Sequence, residues 1–302
     1  MMAMKEKLMR VMRTVLHPLA LSVLCAGAVG VAQTQQNAQQ LTVPFSDPSR
    51  PGTLRINLVQ GGVTIRGANR KDVLIEAQAS EERPGRGRLI VGGGTVILRG
   101  RGRGGSDNAA GLRRLTQGGG FVVEEDNNEV QVTARANRGT DFTIQVPTRT
   151  NLKLSTVNDG PVVVENVEGE IEANNQNESV TLTNVAGSVV VNAHNGKVKV
   201  IMTRLTTDKA MAFTSFNGDV DVTLPASVKA NLKMRSDMGE IFTDFDVQVR
   251  PVTPVAPQSA RGRDGRIRID VNQTIQGSVN GGGPEFELRT FNGNIYVRKG
   301  TP

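Results

Sequence analysis

The sequence has no tryptophan, one tyrosine, one cysteine and two histidines, His17 and His194. Each shortage closes off some chemistry. Aromatic residues make up 3% of the chain, so a site of stacked rings around a sugar has little to draw on. Cys25 on its own forms no intramolecular disulfide, and two histidines beside one cysteine fall short of a typical zinc-ligand set. A Ser–His–Asp arrangement would depend on His194, whose neighbours Asn195 and Gly196 read as a turn and bring no nucleophile. A helical composition is missing as well. Glycine accounts for 34 of 302 residues, and glycine weakens helices while permitting tight turns.

Positive charge opens the chain. Lys5, Lys7, Arg10 and Arg13 are offset only by Glu6, and an apolar run from Val15 to Val31 follows. Gly30-Val31-Ala32 before Gln33 suits signal-peptidase cleavage after Ala32. Residues 1–32 therefore read as a signal peptide and 33–40 as a polar linker. The alternative is an uncleaved inner-membrane anchor, for which the run is short and interrupted by Pro18. Leu24 before Cys25 is not the small residue that lipid attachment requires. The expected location is the periplasm, the cell surface or the medium. Of the net charge of +7, removal of these five charges leaves +4, too mild a balance to name a partner.

The chain repeats itself from about Asn151 to Arg250. ENVEGEIEANNQNESVTL from Glu165 aligns with TNVAGSVVVNAHNGKVKV from Thr183 at a fixed offset. Asn166 falls on Asn184, Gly169 on Gly187, Ile171 on Val189, Asn177 on Asn195 and Val180 on Val198. Looser copies begin at Leu54, Leu152, Phe213, Leu232 and Phe286. The kernel is apolar-x-apolar, a few polar residues, Asn-Gly or a relative, and apolar-x-apolar again. Strict alternation is the strand signal, and a short fixed period is the mark of stacked units, none of which can bury its own apolar stripe. The expected inward set is Val162, Val164, Val180, Leu182, Val189, Val191, Val198, Val200, Val220, Val222 and Leu224. The fold expected is all-β: one elongated right-handed β-solenoid (β-helix) over 41–302, with coils of about 18–22 residues. A β-sandwich or β-roll of hairpins is the alternative, in which Asn217-Gly218 and Asn292-Gly293 are two-residue turns.

Two stretches break the repeat. The segment 83–120 is dense in glycine and holds eight arginines against Asp107 as its only acid. The segment 250–266 holds three prolines and Arg261, Arg263 and Arg266, which reads as a loop. Arg86, Arg88, Arg99, Arg101, Arg103, Arg113 and Arg114 are the candidate polyanion-binding residues, because a guanidinium donates two parallel hydrogen bonds to a phosphate or carboxylate. Without that role, the stretch is a solvated insertion. Arg99 to Gly105 has the look of an RNA-binding Gly-Arg box, but the signal segment and the lack of interleaved aromatics argue against nucleic acid.

Paired carboxylates occur at Glu124-Glu125-Asp126, Asp219 with Asp221, and Asp244 with Asp246. Residues two apart on a strand share a face, so such a pair can in principle hold calcium or act as acid and base. Alternation already demands polar residues there, and they read as the outer face of half-exposed strands. No catalytic residue, metal site or cofactor is assigned, and an enzyme is not expected.

The run from Phe216 to Ile241 resembles the bacterial "putative adhesin" domain family of repetitive exported β-proteins. The likeness rests on NGDVxVxLP at Asn217 to Pro225, continues through Ala226 to Leu232, and includes Gly239-Glu240-Ile241. It extends over about Leu152 to Phe245 and to the copy at Phe286 to Val297. The arginine-rich segment departs from it. The resemblance implies a β-solenoid and adhesion, and carries no catalytic residues. The function expected is an exported, adhesin-like binding protein of the envelope, presenting a repetitive β surface to a polysaccharide, lipid phosphate or protein ligand. A structural protein that self-associates is the alternative, and a polysaccharide-active β-helix enzyme a more remote one.

Overall fold

The computed structural model describes residues 39–79, 121–134, 139–158, 160–206, 209–250, 260–261, 267–268 and 274–300. The segment 1–32 with its cleavage point, the insertion 83–120 and all seven candidate arginines lie outside them. The first strand, β1 (Gln39–Pro44), begins inside the stretch expected as linker. Short strands β18 (Ala260–Arg261) and β19 (Ile267–Arg268) pair antiparallel within and just beyond the stretch expected as a loop.

No helix occurs among the described residues. Apart from β18 and β19, the strands form two ladders. One contains β6 (Glu129–Ala134), β2 (Gly52–Gln60), β8 (Thr150–Asn158), β10 (Glu168–Asn175), the second half of β11 (Val180–Ala193), β13 (Met211–Asn217), β21 (Glu285–Asn292) and β15 (Ala230–Ser236), all parallel. The other contains β7 (Thr140–Pro147), β3 (Val63–Ala68), β9 (Val162–Glu165), the first half of β11, β12 (Val198–Leu205), β14 (Val220–Pro225), β22 (Ile295–Gly300) and β16 (Ile241–Thr243), again parallel. Antiparallel strands close three of the four ends. At one end β5 (Phe121–Asp126) lies on β6, and β4 (Asp72–Ala79) lies on β7 with β1 beyond it. At the other, β20 (Thr274–Val279) lies on β15 with β17 (Gln248–Arg250) beyond it.

Alternation explains both ladders. Every residue of the expected inward set is buried, and its neighbours face out except Ser188, which is buried beside Val189 where β11 bends. The inward side chains of the two ladders share one core, in which Phe142, Phe213 and Phe286 are the largest fully buried groups. Each Val, Ile, Leu or Phe buried there contributes about 1.5–3 kcal/mol against the entropy of ordering the chain. The sequence offset is the register: Gly169 faces Gly187, Ile171 faces Val189 and Asn174 faces Asn192. β11 serves both ladders by bending between them. Asn184 (φ 54°) and Gly187 (φ 113°) take left-handed backbone there, and a Cβ on Gly187 would sit 2.2 Å from the carbonyl oxygen of Gly169. Such a position excludes any side chain.

The Asn-Gly steps are not hairpin turns. β13 lies between β11 and β21, and β14 between β12 and β22, so Asn217-Gly218 carries the chain from one ladder to the other. The same holds for Asn292-Gly293 between β21 and β22. The all-β class is as expected. Two ladders across one core is also the layering of a sandwich, with parallel inner strands in place of hairpins.

Chain order and stacking order differ at two places. A rung consists of one strand from each ladder, and from β8 to β14 the chain climbs rung by rung. The rung β2/β3 comes first in the sequence but lies between β6/β7 and β8/β9. The rung β21/β22 comes last but lies between β13/β14 and β15/β16. The connections β7 to β8 and β14 to β15 must each step over a rung. Both begin at a proline, Pro147 or Pro225, and both lead into Asn-Leu-Lys, at Asn151 and Asn231.

Candidate functional site

A four-residue pattern recurs where the chain leaves the first ladder for the second. It reads Ala193-His194-Asn195-Gly196, Ser215-Phe216-Asn217-Gly218 and Thr290-Phe291-Asn292-Gly293. Ser236 to Gly239 and Asn175 to Glu178 are variants. Each position has its own physical task, and together they build a ridge along this corner.

The first position points inward. The glycine carbonyl of a corner has left the ladder and needs a donor. Ser215 Oγ donates to the Gly196 carbonyl, Thr290 Oγ1 to Gly218 and Ser236 Oγ to Gly293, each at 2.8 Å. Asn175, 3% exposed, does the same for Gly160 at 3.0 Å and also accepts from the N–H groups of Asn177 and Glu178. The fourth position keeps the corners close. A Cβ on Gly218 would approach the Gly196 carbonyl oxygen to 2.5 Å, and one on Gly293 the Gly218 oxygen to 2.3 Å.

The second and third positions face solvent. His194, Phe216 and Phe291 stack ring on ring, with centroids 4.9 Å apart at each step and interplanar angles of 8° and 4°. The backbone spacing of neighbouring strands imposes that interval. Phe216 is 43% and Phe291 39% exposed, a large fraction for phenylalanines. Beside them runs an amide ladder. Asn177 donates to Asn158 at 2.6 Å, Asn195 to Asn177 at 3.0 Å and Asn217 to Asn195 at 2.9 Å. The ridge thus presents a ring row and an amide row, both in register with the rungs.

The residue after the corner secures the next rung. Asp219 accepts from the Asn294 N–H at 3.0 Å and pairs with Lys197 at 2.9 Å. These contacts, the Asn294 N–H foremost, hold its carboxyl below the ordinary aspartate range. Asp221 pairs with Arg298 at 2.9 Å. The two carboxylates therefore answer separate cations. Glu125 binds the hydroxyl and N–H of Ser46, and Asp244 accepts the N–H of Lys299. His194 is at a turn, as the sequence indicates, with its ring in the stack.

The ring stack was not among the sequence-derived candidates, although its signal is present: Phe-Asn-Gly occurs twice and His-Asn-Gly once at the same repeat position. The seven candidate arginines lie outside the described residues.

No family model matches the sequence, and no curated protein does. Two solved structures overlay on it. One is described as a "putative cell adhesion protein" from Clostridium sporogenes, with 12% identity, a TM-score of 0.40, and coverage of 87% of this chain and 100% of that one. The other is described as a "putative adhesin" from Bacteroides fragilis, with 9% identity, a TM-score of 0.28, and coverage of 87% and 97%. At these scores the likeness transfers neither fold nor activity. No helix among the described residues is long and apolar enough to cross a membrane.

Proposed function

We propose that the chain is an exported, adhesin-like binding protein of the bacterial envelope, and that its two ladders are faces of a β-solenoid presenting a repetitive surface to a polymeric or surface ligand. One observation carries this reading: the corner ridge, where exposed rings and amides recur at the strand interval. Exposed phenylalanines leave apolar surface in water, which a fold has no reason to keep in line unless something covers it. An array of equivalent contacts suits a ligand that is itself repeated, because weak contacts made together add up to avidity. On this reading the chain binds and does not catalyse, which agrees with the separate pairing of Asp219 and Asp221.

The test is binding of the purified chain to a panel of envelope polysaccharides and anionic lipids at low and physiological salt. It is run beside Phe216→Ser/Phe291→Ser and beside a chain lacking residues 83–120. Binding lost in the phenylalanine variant supports the ridge. Binding lost only in the deletion moves the site to the arginine segment. An absence of binding by the parent chain refutes the adhesin-like reading.

A second reading has its own observation. The second ladder ends on β16, three residues long, with no strand beyond it among the described residues, and its middle residue, Phe242, is 44% exposed. An open edge of this kind can pair with another copy. Assembly that grows with concentration in light scattering, and stops on Phe242→Lys, would favour a structural role.

A further inference from the structure

The two step-over connections each leave a cavity, and the two cavities differ in chemistry. Stepping over a rung forces a corner away from its neighbour, and the lead-in to the inserted strand must pass beneath it. At β14 to β15 the result is a groove of about 550 Å³ floored by Leu205, Val228 and Phe286. At β7 to β8 it is a pocket of about 130 Å³ with a different lining. Four cations surround it: Arg50 from the lead-in to β2, Arg70 and Lys71 from the turn between β3 and β4, and Arg149 from the step-over itself.

Two of these cations are already answered. Arg50 pairs with Asp47 at 2.8 Å, and Arg70 pairs with Asp72 at 2.7 Å while donating to Gln145 at 3.2 Å. Arg70 is the half-buried member, so its guanidinium is fixed as part of the wall. Lys71 and Arg149 have no acidic partner among the described residues, and both are exposed at the rim. The Arg149 backbone is held, since residue 149 bridges to Glu168 and the Glu168 N–H donates to the Thr148 carbonyl at 2.7 Å. Pro48, Pro51 and Pro147 stiffen the wall, which Phe45, Ser49 and Gly52 complete. The result is a small rigid concavity with two uncompensated cations at its mouth, drawn from two segments distant in sequence.

We propose that this pocket binds an oxyanion group, a phosphate or a sulfate, with Arg149 and Lys71 as the direct ligands and Arg70 as the fixed wall. The volume admits one such group and not the body of a molecule that carries it. A guanidinium and an ammonium facing one space suit a tetrahedral anion with several acceptor oxygens. The site owes nothing to the corner ridge, and the residues tested here leave the ring stack untouched.

The experiment is calorimetric titration of the full chain at low ionic strength. Sodium phosphate and sodium sulfate are the simple anions, dextran sulfate is a polymer-borne source of the same group, and neutral dextran is the control. The variants are Lys71→Gln/Arg149→Gln, the single Lys71→Gln in case the double fails to fold, and Lys199→Gln as an exposed cation elsewhere. Circular dichroism melts check folding. The expected result is binding of at least one anionic probe, unchanged in Lys199→Gln and weakened about tenfold in the double variant, the equivalent of one hydrogen bond to a charged group. Binding of the simple salts identifies the group alone as sufficient. Binding of dextran sulfate only, lost in the double variant, identifies a polymer-borne group. Equal binding by the double variant and the parent overturns the proposal, as does an absence of binding to every anionic probe.

Discussion

Asn174 and Asn175 are adjacent asparagines with opposite fates, and together they test the account of the corner. Asn175 lies inside, 3% exposed, and its side chain satisfies three backbone groups: the Gly160 carbonyl and the N–H groups of Asn177 and Glu178. Asn174 faces out, and its one side-chain bond is to Glu172 at 3.3 Å. Removing a partner from a buried backbone group costs about 1–3 kcal/mol, while an exposed bond of this kind is worth well under 1 kcal/mol. Taking the low end for each of the three groups, because corner backbone can recruit some water, Asn175→Ala should cost about 3 kcal/mol. Each kcal/mol moves the Tm of a domain of this size by about 2–4 °C, which gives a fall of about 6–12 °C. Asn174→Ala should stay within about 2 °C. The assay is thermal and urea unfolding of the two variants side by side, with equal m-values showing that both begin from the same native state. Equal effects of the two changes, or a larger one for Asn174, would refute the claim that buried corner polarity holds the rungs together.

Two further outcomes follow from the same geometry. Gly187→Ala places a Cβ against the Gly169 carbonyl at positive φ and should cost about 3 kcal/mol or more, whereas Gly281→Ala, also at positive φ but in open space, should cost about 1 kcal/mol; chemical unfolding of both separates the clash from the dihedral. Asp219 has a folded pKa below its unfolded value, so its contribution is fully present above the unfolded pKa and is lost as pH falls through the folded one; Asp219→Asn should therefore flatten the acid limb of the stability–pH curve and leave its neutral-to-basic side parallel to the parent's.

Alternation and the repeat offset were enough to read the strands and the inward Val and Leu set, because each depends on residues near in sequence or at one fixed interval. Ser215 and Thr290 also fall on inward parity, two residues after Phe213 and Leu288. They are hydroxyls in a core position, and only the buried corner carbonyls explain them, which is why letter-by-letter polarity misplaces them. The neighbours of β21 and β22 were not legible. Phe286 packs between Met211 on one side and Leu232 on the other, and an alternating apolar strand fits any such slot. What fixes the slot is the closing of the stack, which no local pattern states. The same applies to the basic pocket: Arg50, Lys71 and Arg149 are scattered in the sequence and meet only because β2/β3 is inserted beside β7.

That insertion has a consequence for how the chain reaches its native state. A simple stack can grow at one end as residues are delivered, each new rung settling on a finished one. Here residues 230–243 have no finished surface to settle on, because the place beneath them belongs to residues 285–300, which emerge after them. This later stretch must enter as a wedge between two rungs already made or waiting. The apolar edges of β13 and β14 stay uncovered until it does, so the interval between delivery of residue 225 and residue 300 is when this molecule is most exposed to mispairing and proteolysis.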